Sequence, residues 1–280
     1  MQSRAIDKHD IEPAWRVGLS YKTILVAEDG WVRTITLNRP ERRNAMTPEM
    51  QLELIAAMED VAASDCRVVV FAGAGEAFCS GLDLTALQGM IDKGGAEHRV
   101  DAERIARLLR TLYELPKPTI ASVQGAAIAG GTGLATICDF TLAVPAARFG
   151  YTEVRIGFVP ALVSAFLTLQ IGDKRARGLL LTGRLFDAAE AYRMGLVNEV
   201  VAPENLAERV QVLAAVLAAN SPDSLSATKR LLAAQNQAWL DAAIAAAMDA
   251  NAEAREKADF REGIAAFLEK RKPSWTEPQR

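Results

Sequence analysis

The chain has few of the residues that support several common kinds of chemistry. Its 280 residues include only three cysteines and two histidines. Cys66, Cys79 and Cys138 are scattered and show neither disulfide nor zinc-ligand spacing, so we expect reduced thiols, no metal site and a cytoplasmic location. The histidines are His9 near the N-terminus and His98, which we expect in a variable loop before a helix. A Ser-His-Asp triad, as in a peptidase, is therefore not expected.

The chain also lacks a strong charge of one sign and a long hydrophobic run. Its formal net charge is −3, with 24% charged residues, which does not suggest a nucleic-acid partner. No apolar run is long enough to cross a bilayer, so no membrane association is expected. Residues 1–21 are polar and without the apolar centre of a signal peptide, and we interpret them as an N-terminal tail.

Residues 22–202 alternate between strand-like and helix-like segments, which predicts an α/β core. Asp29-Gly30 separates two β-rich runs and predicts a hairpin. Thr47 as N-cap and Pro48 at the first helical position predict the start of a helix. Residues 203–280 are rich in alanine and leucine with helical periodicity, which predicts several helices that pack on one another, within the chain or across subunits.

Two glycine-containing loops each precede a predicted helix. They are "GEAFCSGLDL", Gly75–Leu84, and "GAAIAGGTGLATICD", Gly125–Asp139. Glycine allows backbone N–H groups to approach a ligand closely, and a helix N-terminus favours negative charge. Two such loops facing one point could hold an oxyanion, although close helix–strand packing alone also requires such turns. Neither loop has the pattern of a phosphate loop or a dinucleotide fingerprint.

Several motifs in order make the chain recognisable. They are "NRPERRNAMT", "AFCSGLDL", "GAAIAGGTGLATICD", "ARFGYTEVRIGFVP", "LTGRLFDAAEAYRMGLVNEVV" and "EGIAAFLEKRKPSW". Over about residues 22 to 275 they resemble the enoyl-CoA hydratase/isomerase (crotonase) family. The resemblance implies an α/β fold with a crotonase-like spiral core of ββα turns and a C-terminal helical trimerisation region. It further implies a homotrimer or a dimer of trimers, and an acyl-CoA thioester as substrate with no separate cofactor.

The resemblance implies an oxyanion hole made by the backbone N–H groups of Ser80 and Gly130, with Glu153 as acid–base group. Typical hydratases of the family carry a second glutamate where this chain has Gly133. One carboxylate is sufficient for moving a proton between carbons 2 and 4, the isomerase chemistry of the family. Three alternatives therefore stay open: a hydratase of 2-enoyl-CoA esters, a Δ3,Δ2-enoyl-CoA isomerase, and a non-catalytic acyl-CoA binder.

The resemblance also implies substrate-binding residues. Arg42 and Arg43 match a basic position near the CoA pyrophosphate, and Phe267 and Lys270 match residues that reach the CoA of a neighbouring subunit. Arg155 could bind a distal carboxylate, as in 3-methylglutaconyl-CoA, whose hydratases the motif around Glu153 resembles. Both fatty acid metabolism and branched-chain amino acid catabolism are therefore expected settings. The remaining candidates lie within the same motifs: Ala45, Phe78, Gly81, Leu82, Asp83, Leu84, Gly131 and Tyr151. Asp83 is also a candidate helix cap, and Thr132 and Tyr151 could hold a water near Gly133.

Overall fold

The structure is a computed structural model that describes residues 21–276, so the expected tail lies outside the described residues apart from its last residue, Tyr21. The strands are β1 (Ile24–Asp29), β2 (Val32–Leu37), β3 (Val68–Gly73), β4 (Thr119–Val123), β5 (Ala126–Ile128), β6 (Phe140–Ala143), β7 (Arg148–Gly150), β8 (Phe186–Asp187) and β9 (Glu199–Val200). The α-helices are α1 (Pro48–Ala63), α2 (Leu84–Gln88), α3 (Gly95–Glu114), α4 (Gly130–Ile137), α5 (Ala161–Thr182), α6 (Ala188–Met194), α7 (Leu206–Ala218), α8 (Pro222–Ala254) and α9 (Ala258–Leu268).

The strands form two sheets. The larger has the order β1-β2-β3-β4-β6-β9, and the smaller has the order β5-β7-β8. Within the larger sheet only β1 and β2 are antiparallel; the other neighbours run parallel. Helices connect the parallel strands, as such crossovers require. The predicted α/β class is confirmed.

Local sequence signals explain the first elements. The β1–β2 hairpin turns at Asp29-Gly30, where Gly30 has φ +56°. Thr47 caps α1 because its side-chain oxygen accepts a hydrogen bond from Met50 N, and Pro48 is the first helical residue. Both predictions are confirmed.

The last third of the described chain is helical. Residues 222–254 form one helix of 33 residues, α8, whose inner side packs on α3 and α5. The final helix, α9, packs back on α2 and on a 3₁₀ turn at Glu153–Ile156 of the same chain. This return brings the C-terminal region against the part of the core that carries Glu153.

None of the described helices combines the length and apolarity that crossing a membrane requires.

Candidate active site

An elongated cavity of about 270 Å³ lies where the two glycine loops, the Glu153 turn and α9 meet. Most of its wall is apolar and comes from α2, α3 and the start of α5. Its polar lining residues are Arg43, Gln51, Ser80, Thr152, Glu153 and Asn251. A largely apolar cleft with a few convergent polar groups is the usual form of a small-molecule site.

The two glycine loops are held together by their backbones. Ile128 N donates to Cys79 O at 2.8 Å. A Cβ added to Gly131 would lie 2.2 Å from that same carbonyl oxygen, so only glycine permits this approach. A Cβ added to Gly81 would lie 3.6 Å from Gly130 N, which puts the two loops side by side at the cavity wall. The expectation that the loops face one point agrees with this geometry.

The free backbone donors are not the pair expected from the motifs. Ser80 N donates to Arg43 O at 3.0 Å, so this N–H is already used within the protein. Leu82 N and Gly130 N donate no hydrogen bond to any residue of the described chain. Both residues line the cavity. The structure therefore contradicts Ser80 as a free donor and leaves the N–H groups of Leu82 and Gly130 without an internal partner.

The residue before Gly130 sets the direction of this turn. Ala129 has φ +53° and ψ −124°, a conformation that side-chain-bearing residues rarely adopt. Its own N–H donates to Gly150 O at 2.6 Å, which anchors the turn to β7. Backbone strain of this kind persists where the surrounding structure enforces it. Here it leaves the first N–H of α4 without an internal partner.

Glu153 supplies the carboxyl group of the cavity. Its Oε2 atom is sealed from solvent and has no hydrogen-bond partner among residues 21–276. Burial raises the pKa of Glu153 to about 7, against the smaller opposing effect of a hydrogen bond from its own backbone N–H. Near neutral pH the group therefore exists in both protonation states, which suits proton transfer.

Val163 explains the glycine at position 133. A Cβ on Gly133 would lie 2.6 Å from Val163 Cγ1, and Val163 itself lines the cavity. The valine side chain therefore occupies the space that a side chain at position 133 would need. No carboxylate other than that of Glu153 is among the described residues that line this cavity.

The proposed CoA-binding residues divide into two groups. Arg43 and Phe267 line the cavity, and both are exposed. Phe267 does so in its own chain, whereas the resemblance implied contact with a neighbouring subunit. Arg42 and Lys270 are exposed and do not line the cavity. Of the four expected CoA-binding residues, the structure thus places Arg43 and Phe267 at the cavity.

Several further candidates have structural roles instead. Phe78 and Tyr151 are buried in the core, away from the cavity lining. The Thr132 hydroxyl donates to Ala127 O at 2.6 Å and accepts from Gly150 N at 3.1 Å, and Thr132 is buried outside the cavity lining. Arg155 is exposed beside Gly183 and does not line the cavity. These placements correct the expected roles of Tyr151, Thr132, Phe78 and Arg155 at the substrate.

The remaining motif residues lie in or near the two glycine loops, and only some of them line the cavity. Asp83 caps α2, accepting from Thr85 N at 2.9 Å, and pairs with Arg39 at 3.0 Å. Leu84 lines the cavity, whereas Ala45, Gly81 and Gly131 do not. Burial raises the pKa of Cys79 to about 12, so its thiol is not a nucleophile near neutral pH.

A second cavity, of about 380 Å³, adjoins the first between α1, α2 and α3. The two share the lining residues Met46, Gln51, Leu82 and Leu87. Its lining combines apolar side chains with the charged residues Asp83, Lys93, Glu97, Asp101 and Arg104. The two cavities are therefore separated only by these shared side chains.

The fold and the cavity together define a class of α/β enzymes with a helical C-terminal region. The Enoyl-CoA hydratase/isomerase family profile matches residues 28–279, and the chain belongs to this family.

Known proteins of this family are similar over nearly the whole chain. A Thermus thermophilus protein, named as a candidate enoyl-CoA hydratase, is 46% identical over 88% of this chain and 98% of its own length. The 1,2-epoxyphenylacetyl-CoA isomerase of Escherichia coli is 35% identical, over 88% of this chain and 95% of its own. The crystal structure of an enoyl-CoA hydratase/isomerase from Xanthobacter autotrophicus Py2 has a TM-score of 0.84 at 32% identity, covering 93% of this chain and all of that one. Hydratase names dominate among such relatives.

Sequence reasoning named Leu82 only as a substrate-binding candidate, because its free N–H depends on a pairing with the distant segment around Met46. It missed Val163 and Asn251, which both line the cavity. Val163 carries no polar signal at all. Asn251 could have been noticed, because it is a polar residue on the buried face of α8 that also carries Leu240 and Ile244.

Proposed function

We propose that the protein adds water across the 2,3 double bond of a 2-enoyl-CoA, with Glu153 as the only carboxyl acid–base group. The observation that carries this proposal is Glu153 itself. Its carboxyl group is partly sealed, has a pKa of about 7, and lines the same cavity as the free N–H groups of Leu82 and Gly130. Many relatives are named as hydratases, which supports addition of water over isomerisation.

In this proposal, Leu82 and Gly130 receive the thioester oxygen. Addition of water at carbon 3 places negative charge on that oxygen, as an enolate. Two N–H groups aimed at the developing charge stabilise it without rearrangement, and loss of one such donor typically costs about 3 kcal/mol of transition-state stabilisation. The position of Gly130 at the N-terminus of α4 adds a favourable dipole.

The protonated carboxyl group of Glu153 would serve both proton transfers. It delivers its proton to carbon 2 while the water oxygen bonds to carbon 3. The proton that leaves the water then passes to the Glu153 carboxylate, which regenerates the acid. The balance needs neither a second carboxylate nor a metal or redox cofactor. Because the neutral acid starts the cycle, hydration requires Glu153 to be protonated.

The acyl-CoA would lie with its CoA part toward Arg43 and Phe267 and its acyl part toward α3. Arg43 is the only cationic side chain among the described residues lining the cavity, and it faces the exposed end. The narrower candidate 3-methylglutaconyl-CoA loses the support of Arg155, which lies outside the cavity. A branched 2-enoyl ester still fits the apolar walls.

A Δ3,Δ2-enoyl-CoA isomerase is the second candidate, because Val163 excludes a carboxylate at position 133. In that reaction ionised Glu153 removes a proton from carbon 2 and returns it to carbon 4. The two candidates use the same residue in opposite starting protonation states.

Isotope labelling separates the two. Purified protein is incubated in ¹⁸O-labelled water with crotonyl-CoA and, separately, with a 3-enoyl-CoA, and products are followed by mass detection. Labelled 3-hydroxyacyl-CoA from crotonyl-CoA supports the hydratase; a shifted double bond at unchanged mass from the 3-enoyl ester supports the isomerase. Glu153→Gln should abolish either reaction, while Glu204→Gln, on an exposed turn, should leave it unchanged.

We also propose that the protein assembles as a homotrimer or a dimer of trimers. Support comes from the outer face of α8, where Leu231, Leu232 and Trp239 are exposed. Apolar groups concentrated on one helix face favour burial against a second copy. Light scattering coupled to size-exclusion chromatography measures the mass of the assembly, and a monomer would overturn the proposal.

A further inference from the structure

A buried polar cluster stands between α3 and α8 and plays no part in the proposed chemistry. We define it as Asp101 and Arg104 of α3 with Asn251 and Arg255 at the end of α8. Arg255 is completely buried, and Asn251 is 3% exposed. The other polar contacts between α3 and α8 involve more exposed side chains: the ion pairs Arg99–Asp249 and Arg110–Asp241, and the hydrogen bond from Asn236 to the Tyr113 hydroxyl. A buried polar group is normally retained only with full hydrogen bonding.

The cluster is not fully hydrogen bonded. Arg255 Nη2 lies 2.5 Å from Asp101 Oδ2, and Asp101 also pairs with Arg104. The Nε and Nη1 atoms of Arg255 have no hydrogen-bond partner in the described chain, and neither has Asn251 Oδ1. Two guanidinium groups thus share one carboxylate, which leaves an excess of positive charge. Burial accordingly lowers the pKa of Arg255 to about 10.

Asn251 connects this cluster to the substrate cavity. It lines the cavity together with Glu153 and Phe158. Arg255 lies behind that wall, with its guanidinium carbon 5.4 Å from the centre of the Phe158 ring. Asn251 and Arg255 are four residues apart on α8, so their side chains are neighbours on one helix face. A hydrogen bond from Arg255 to Asn251 Oδ1 would fix the amide and leave its Nδ2 as a donor toward the cavity.

We propose that Asn251, positioned by Arg255, binds an oxygen acceptor on the acyl group of the substrate, beyond carbon 3. The ligand class is an acyl-CoA whose acyl chain carries a hydroxyl, oxo or carboxylate oxygen. The excess positive charge behind Asn251 favours a carboxylate over a hydroxyl. The inference rests on the proposed function in that it places an acyl-CoA in this cavity.

The test uses binding of saturated thioesters, which do not turn over. Calorimetry compares straight-chain acyl-CoA esters with ω-hydroxyacyl-CoA and dicarboxylyl-CoA esters of matched length, across short and medium chains. The wild-type protein should bind at least one oxygenated ester about tenfold more tightly than its apolar match, and Asn251→Leu should erase that difference. Asn236→Leu, the same change on α8 outside both cavities, should preserve it.

If Asn251→Leu folds poorly, a second variant still tests the proposal. Asn251→Asp retains a partner for Arg255 and should weaken the dicarboxylyl esters while sparing the apolar ones. Equal affinity of the wild-type protein for apolar and oxygenated esters at every length would overturn the proposal, as would equal weakening of both classes by Asn251→Leu. The ¹⁸O assay with crotonyl-CoA tests the proposed function separately, since it involves no acyl oxygen.

Discussion

Glu153 shows how a single side chain can be both unfavourable for folding and necessary for the proposed chemistry. Its Oε2 atom is buried and has no hydrogen-bond partner among the described residues. Burial raises its pKa from 4.5 to about 7. In the unfolded chain the group ionises near 4.5, whereas the folded protein retains the proton until about 7. Folding stability therefore falls as the pH rises through this window and stays lower above it.

Replacing Glu153 with glutamine should stabilise the protein in alkaline solution. The shift corresponds to roughly 3 kcal/mol at about 1.4 kcal/mol per pKa unit, an upper value for the gain. The gain should be present at about pH 8 and vanish below about pH 5, where glutamic acid is neutral in both states. Urea unfolding of both proteins at the two pH values measures it. A gain of equal size at both would assign the effect to something other than ionisation.

Position 133 should accept a carboxylate only when Val163 is reduced in size. Gly133→Glu alone forces a contact with Val163 Cγ1, so we expect destabilisation of about 1–3 kcal/mol, as is typical of overpacking. Combining it with Val163→Gly should remove most of that penalty. A double-mutant cycle on thermal stability measures the coupling, and additive effects would show that Val163 does not occupy the space in question.

Among the elements, the two glycine loops matter most, because their contact sets the positions of both free N–H groups. The sequence predicted the loops, the hairpin at Asp29-Gly30 and the capped start of α1, since each depends on neighbouring residues. It did not predict which N–H is free. That depends on how the loop pairs with the distant segment from Arg43 to Met46, which uses the N–H of Ser80 and leaves that of Leu82 free.

A methyl group at Gly131 should separate the loops. Its Cβ would lie 2.2 Å from the backbone oxygen of Cys79, which has no freedom to withdraw. We expect Gly131→Ala to lower kcat by at least about 10²-fold, the scale of losing one oxyanion donor. Gly178→Ala is the matched control, since no atom lies within 4 Å of the added Cβ. Wild-type kcat in Gly131→Ala would show that the loop contact is not needed.

At the scale of the whole molecule, the C-terminal helix completes the site of its own chain. Phe260 of α9 is fully buried and packs on Phe158, with ring centres 5.2 Å apart. Phe158 in turn lines the cavity. The sequence predicted helices here and Phe267 near the CoA. Which subunit they serve depends on how the chain returns after α8, which no local pattern encodes.

Removing the Phe260 ring should therefore affect stability and substrate binding together. Phe260→Ala should lower the free energy of unfolding by about 3–5 kcal/mol and raise KM, because Phe158 loses its support. Leu268→Ala, on the exposed end of α9, should change stability by less than about 0.5 kcal/mol. Denaturant unfolding measures the change in stability, and steady-state kinetics measures KM. An unchanged KM in Phe260→Ala would show that α9 does not contribute to substrate binding.

The central claim is that one carboxyl group, Glu153, carries out hydration from its protonated form. The pH dependence of kcat for hydration of a 2-enoyl-CoA, from about pH 5 to about pH 9, tests it most directly. The account predicts a plateau at low pH and a fall of about tenfold per pH unit above about 7, where Glu153 ionises. A rate that rises through the same range would contradict it, because the ionised carboxylate would then be the working form.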